Sequence, residues 1–458
     1  MLLSIVERFI EKCPAAVMVR ATLERFWCPE VLDRVFLDAS NRQYQKQLLF
    51  SQIVAIMAAV ATRIHSSVHS AYLAMQEELG ISTTALYGKL NRLEPAVSAA
   101  LVRETARDAA QAIDDMPGAK RTLLNGLHVQ YLDGNHLAAT EHRLAELRIT
   151  REGPLPGQTL ALLDAQRDLI TELIPCEDGH AQERSLLPEL LERIAERTVT
   201  VADRNFCTTQ FLFGLHQRHA YFVIRQHKST LSWRPLGKRK RVGRIPTGIL
   251  FEERIELAYG ERKLKVRRIT VQLDTPTENG DTEIHILTNL PRRKATARQV
   301  AAIYRSRWTI ESAFQNLTDV LRCEVETLGY PKAALFAFAV AVQAYNSYAV
   351  VKAALRSIHG AEKIDEELSD FHLTRDVVAT QTGMEIAVEP AAWKDYQSMT
   401  PREFSKALLR MAKHVKLSRY PKKKRGPKKP QPRKKSGARN HHIATSRILA
   451  ASRTKITC

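Results

Sequence analysis

Cysteine is scarce in this chain of 458 residues. The six that occur, at positions 13, 28, 176, 207, 323 and 458, form no CxxC pair and meet no histidine at zinc-ligand spacing. That excludes a disulfide scaffold and a thiolate zinc centre and leaves reduced thiols, as in a cytoplasmic protein. No GxxxxGK[ST] run occurs, so a nucleotide cofactor and an ATP-driven mechanism have no support. The opening MLLSIVERFIEKC lacks the long apolar core and cleavage site of a secretory signal, which reads against export. Long apolar runs are also missing, with one exception, Ala333 to Leu355. Gln343, Asn346 and Ser347 interrupt it and it has no partner span, so the expectation is a buried helix with no membrane involved.

Acids are outnumbered, 49 against 69 Lys and Arg, for a net charge of +20. The excess is local. Residues 413 to 440 hold thirteen Lys or Arg and no acid, and Arg447, Arg453 and Lys455 add three more, so the rest of the chain is nearly balanced. The run PKKKRGPKKPQPRKKSG cannot build a core and reads as a disordered basic tail, residues 413–458, that meets phosphate through charge or inserts into a minor groove. With 44% apolar residues the remainder can bury a sizeable core in two to four structural units.

Residues 1–120 show helical periodicity and few strand signals, an all-helical N-terminal region with a place in DNA binding. Within it, AYLAMQEELG, Gly80 as the turn, and a second helix capped near Ser82 or Thr83 read as a helix-turn-helix pair presenting Tyr87, Lys89 and Arg92, or as two helices that simply pack. From residue 121 the pattern changes to strand, strand, strand, helix, strand, helix, strand. The strands are LHVQYLD, which stops at Asp133, then QTLALLDAQRD, LITELIPC, RTVTVAD, which stops at Asp203, and AYFVIRQ. This order resembles a ribonuclease H-like α/β core, in which the first and fourth strands are neighbours and would bring the two aspartates together. The core's first part spans 121–227, a β-rich insertion 228–290, and a helical second part 291–412. The front of the insertion carries Lys228, Arg234, Lys238, Arg239, Lys240, Arg241 and Arg244 without an acid, which suits phosphate contact or a solvated loop.

Two aspartates at strand ends and a glutamate on a helix suit a particular chemistry. In-line attack on a phosphodiester needs an activated nucleophile, a stabilised leaving oxygen and a neutralised phosphate, and two Mg²⁺ ions on carboxylates supply all three. Asp133 before Gly134 is also an ordinary turn former, and Asp203 an ordinary helix cap; their pairing in a matching strand order is what selects them. Residues 296–321 read as one long amphipathic helix on which Tyr304, Arg307 and Glu311 fall at i, i+3 and i+7, one face offering a phenol, a guanidinium and a carboxylate. Arg307 would clamp a phosphate and Tyr304 hydrogen-bond it, although Arg307 and Glu311 also stand at ion-pair spacing.

The blocks YLDGN, VADRNF and YRSRWTIESAF resemble the three catalytic blocks of DDE transposases from bacterial insertion sequences, of the insertion-sequence-four type. The resemblance covers residues 120 to 360. It implies metal-dependent cut-and-paste transposition, with strand cleavage at terminal inverted repeats and strand transfer. Asp133, Asp203 and Glu311 would be the catalytic and metal-holding triad, with Mg²⁺ as cofactor and Mn²⁺ as a substitute. DNA, both transposon ends and target, would be the partner, bound by a dimer in a bacterial, nucleoid-associated setting. Some relatives of this type pass through a hairpin with a flipped base; Trp233 is the aromatic of suitable type for stacking it, but a core role is the expectation for that residue. One position departs: the lysine expected seven residues after Glu311 is Thr318, and Arg322, one turn further on, is the candidate replacement. Two other readings stay open, a ribonuclease H-like nuclease and a non-catalytic DNA-binding protein derived from a transposase.

Overall fold

The computed structural model describes residues 4–41, 47–227, 229, 231–277, 280–319, 321, 325–422 and 441–457. Helices fill the chain up to Asp114, and their ends follow local sequence rules. Ser4 and Glu7 close a capping box, Pro14, Pro29 and Pro95 begin helices where an N–H would be orphaned anyway, and Gly80 ends the helix Val68–Leu79 at φ 60°. Ser82 then caps Thr83–Leu90 by accepting from Ala85 N at 3.2 Å. Both expected helices are present, but Lys89 is turned inward, its ammonium 4.6 Å above the ring of Phe36.

The strands are β1 His128–His136, β2 Gly153–Leu155, β3 Gln158–Asp164, β4 Leu169–Cys176, β5 Thr198–Ala202, β6 Tyr221–Arg225, β7 Ser232–Pro235, β8 Lys240–Ile245, β9 Gly248–Tyr259, β10 Arg262–Leu273, β11 Glu283–Thr288 and β12 His442–Ala444. One ten-stranded sheet runs β4-β3-β1-β5-β6-β11-β10-β9-β7, with β8 also on β9. β1 is parallel to β5 and β5 to β6, while β3 and β4 are antiparallel to their neighbours. β7 to β11 extend this sheet through the β6–β11 pairing, so the β-rich segment continues the core sheet.

β1 does not stop at Asp133. Gly134, Asn135 and His136 still pair with Leu160, Thr159 and Gln158 of β3, so the glycine leaves the strand intact; only the β5 side ends, after Tyr131 and Val201. The β3–β4 hairpin is tight because Asp164 Oδ1 accepts from Gln166 N at 2.8 Å and Arg167 N at 3.0 Å, and Asp168 takes φ 64°.

The two sheet faces carry separate cores. Leu132, Leu160, Ile174, Ile224 and Leu257 pack with the helices Leu187–Arg193 and Thr209–Gln217. The opposite face, with Val129, Tyr131, Val201, Val223 and Ile269, packs with the helix Ala297–Arg305 and the long helix Pro331–His359. That long helix is the apolar stretch seen in the sequence, and 94% of its most apolar window lies inside the protein. Its polar residues explain why it suits this interior: Asn346 both donates to Ile170 O (2.8 Å) and accepts from Ile170 N (2.9 Å) on β4, while Gln343 accepts from Trp27 Nε1 (3.1 Å). Arg103 clamps Glu172 of β4 with two 2.8 Å bonds, joining the N-terminal helices to the sheet.

Two expectations need correction. The run 296–321 is two helices, Ala297–Arg305 and Trp308–Asp319, because Ser306 turns its hydroxyl back to Ile303 O and toward Tyr131 Oη. The chain after 412 is not a coreless tail throughout. Tyr420 is buried and donates to Asp376 at 2.6 Å, β12 pairs in parallel with β2, and the helix Thr445–Thr457 follows, its Arg447 on Asp178. Ile443 and Ala444 supply the apolar anchors that the lysine-rich run lacks. Residues 423–440, most of that run, lie outside the described residues.

Candidate active site

Asp133 points to the same sheet face as Val129 and Tyr131, toward the break between the two helices. The break is fixed from the sheet: Tyr131 Oη is 2.8 Å from Ser306 Oγ. Arg307, in the break, is thereby aimed at the end of β1. Its Nη1 stands 3.1 Å from Asp133 Oδ2 and its Nη2 2.6 Å from Glu311 Oε1. Tyr304 is in hydrogen-bond reach of the same guanidinium, and burial raises its phenol above the ordinary value. The three residues expected on one helix face are thus brought together across a turn, and the ion-pair spacing of Arg307 and Glu311 is used.

Asp203 follows β5 and caps the short turn Arg204–Phe206, accepting from Asn205 N at 2.6 Å. It is close enough to Asp133 for its charge to act there. Burial pushes the Asp133 carboxyl up to about 7; Arg307 opposes the rise, and the charges of Asp203 and Glu311 add to it. A half-buried carboxyl with two others in electrostatic reach is the setting that a cation relieves.

The donor set is all oxygen, from three separate elements, which suits a hard divalent cation such as Mg²⁺. Among the described residues, no three His, Cys, Asp or Glu side chains form a ready cage, and Arg307 pairs with both Asp133 and Glu311.

The basic segment divides. Arg234 pairs with Glu256 at 2.8 Å, Arg239 with Glu283 at 2.8 Å and Arg244 with Asp274 at 2.7 Å. Arg239 also lies 4.0 Å over Phe251, so its charge is largely spent within the fold. Lys238, Lys240 and Arg241 instead line a groove of about 1230 Å³ together with Arg254, Lys265 and Arg292. These six cations make no ion pair among the described residues. Arg254 and Lys265 were not singled out from the sequence, because only the β9–β10 register puts them beside the earlier cluster. Lys228 and Arg322 lie outside the described residues.

Thr318 is exposed and donates to Phe314 O of its own helix at 3.2 Å. Trp233 is not a core residue: it is 37% exposed, lies opposite Leu257 on the sheet face away from Asp133, and carries Arg268 over its ring at 4.9 Å. An exposed aromatic beside Arg307 is Trp308, 65% exposed with its ring centroid 5.9 Å from the Arg307 guanidinium carbon. Its position directly after Arg307 was the signal in the sequence.

Residues 158–346 match the family model of the transposase DDE domain. No curated protein matches the chain. The matched span runs from the start of β3 into the long helix and includes Asp203, Arg307 and Glu311, while Asp133 lies before it. Taken with a site in which Asp133 meets Arg307 and Glu311 from outside the matched span, the match supports a DDE transposase.

Proposed function

We propose that this chain catalyses metal-dependent cut-and-paste transposition in the manner of the insertion-sequence-four type, cleaving strands at terminal inverted repeats and transferring them to target DNA. The observation that carries this reading is the shared salt bridge of Asp133, Arg307 and Glu311 with Asp203 in electrostatic reach. The strand order β4-β3-β1-β5-β6, with β1 parallel to β5, supports a ribonuclease H-like core.

Two Mg²⁺ ions, or Mn²⁺, would activate the attacking water or hydroxyl and neutralise charge on the scissile phosphate. Asp133, Asp203 and Glu311 hold them. Arg307, released from the carboxylates, presents a bidentate fork to a phosphate oxygen, and Tyr304 donates to the same group. The flat, exposed indole of Trp308 offers a stacking surface for an unpaired base next to the cut.

The placement of the cations supports a path for the DNA. The six-cation groove lies on the same face as Asp133, with the nine-residue helix Ala297–Arg305 between them, about 14 Å at 1.5 Å per residue. Duplex leaving the carboxylates would reach the groove after about four base pairs, at 3.4 Å each. Cutting two ends implies a dimer on DNA, in the cytoplasm at the nucleoid. The lysine-rich residues 423–440 add sequence-independent phosphate affinity.

Thr318 favours one alternative, a DNA-binding protein derived from a transposase that no longer cuts. Linear DNA carrying the sequences that flank this protein's own gene, incubated with and without Mg²⁺ beside Asp133→Asn, separates the two. Metal-dependent cleavage at defined ends, absent in the variant, supports transposition. Sequence-specific binding with no cleavage by the wild type supports the alternative.

A further inference from the structure

A fourth carboxylate touches the neighbours of both aspartates. Glu183 opens the short turn Glu183–Leu186 that leads into the helix Leu187–Arg193. Its carboxylate lies directly on the backbone of Gly134, so a methyl group added at that glycine would collide with Oε1 and Cδ of Glu183. Gly134 is not among the positive-φ residues, so the absent side chain here leaves room for the Glu183 carboxylate and does not serve backbone freedom. The other oxygen, Oε2, accepts from Asn205 Nδ2. Asn205 N in turn donates to Asp203 Oδ1 at 2.6 Å, and Gly134 N donates to Asp133 Oδ1 at 3.0 Å. Arg184, the next residue, donates Nε to the Asn205 carbonyl at 2.8 Å and to its Oδ1 at 3.2 Å.

An unbroken chain of contacts therefore runs from Asp133 through Gly134, Glu183 and Asn205 to Asp203. The sheet does not provide this link, because the β1–β5 ladder ends at Tyr131 and Val201, two residues short of each aspartate.

We propose that Glu183 is a positioning residue, which rests on the metal-dependent reading above: it braces the two aspartates at a fixed separation for a shared divalent cation. It acts through Gly134 and Asn205 as an outer brace on the donors, the kind of partner on which metal affinity depends strongly.

The test is a Mn²⁺ titration of the full chain without DNA, followed by the electron paramagnetic resonance signal of free Mn²⁺, on wild type, Glu183→Ala, Glu183→Gln and Asn205→Ala, each first compared by circular dichroism melting. Glu183→Ala and Asn205→Ala are expected to bind Mn²⁺ about 10- to 100-fold more weakly. Glu183→Gln keeps an acceptor for Asn205 and the volume against Gly134, so it should stay close to wild type. Wild-type affinity in either alanine variant would overturn the proposal, and so would a glutamine variant as weak as Glu183→Ala, which would make the charge and not the brace the cause. A wild type that takes up no Mn²⁺ would overturn the metal-dependent reading and this proposal with it, an outcome distinct from failure of Glu183 alone.

Discussion

Arg307 and Asp133 are 174 residues apart in the chain and 3.1 Å apart in the fold, and the same guanidinium holds Glu311 at 2.6 Å. Arg307 thus supplies positive charge where three carboxylates converge. Arg307→Ala should leave those charges facing one another and destabilise the metal-free protein by about 1–3 kcal/mol, less than a fully buried pair because Glu311 is partly solvated. Added Mn²⁺ should then raise the melting temperature of the variant more than that of wild type. An equal or smaller rise would show that Arg307 does not compete with the cation.

The raised Asp133 carboxyl gives a pH dependence. Its folded value of about 7 lies above the usual 3.8, so the folded protein binds this proton more tightly than the unfolded chain. The stabilisation it contributes is complete below pH ~4 and is lost as pH rises to about 7. Urea unfolding of the metal-free protein across that window should show a downward contribution that Asp133→Asn removes. Identical pH profiles for the two proteins would refute the assignment.

In the groove, Arg254→Ala, Lys265→Ala and Arg292→Ala together should flatten the dependence of DNA affinity on salt. If each cation meets one phosphate, the log–log slope falls by about 0.9 per contact on duplex DNA. An unchanged slope in fluorescence anisotropy would remove the groove from the DNA path.

Thr318 is exposed on the helix of Glu311. Thr318→Lys adds one cation there, so it should tighten DNA binding and steepen the salt slope by about one contact. If Thr318 has silenced the enzyme, the same variant restores cleavage; binding that is no tighter would place residue 318 off the DNA.

Asn346 satisfies both backbone groups of Ile170 from inside the long helix. Asn346→Leu should cost about 2–4 kcal/mol in denaturant unfolding, since a buried N–H and C=O lose their partners together. A loss under 1 kcal/mol would mean that water or a shifted strand replaces the amide.

Much of the framework is local in origin and could be read from residues alone. Caps and prolines set helix ends, apolar and β-branched runs set β3 to β6, and Gln343 and Asn346 marked the long apolar helix as a protein interior. Asp133 and Asp203 stand out in the sequence as aspartates after β-rich runs, and Arg307 and Glu311 by their helical spacing. The helix break at Ser306 could not be read there, because the bond that holds it comes from Tyr131, 175 residues away. Nor could the fate of the basic segment: whether an arginine is free depends on which acid the sheet register puts opposite it, as Glu256 and Glu283 show for Arg234 and Arg239. Glu183 carries no motif at all. Its place against Gly134 and Asn205 exists only because the β1–β5 ladder ends there and a turn far along the chain is folded back over the gap, and a carboxylate's contacts across such a gap are set by three-dimensional packing and not by its neighbours in sequence.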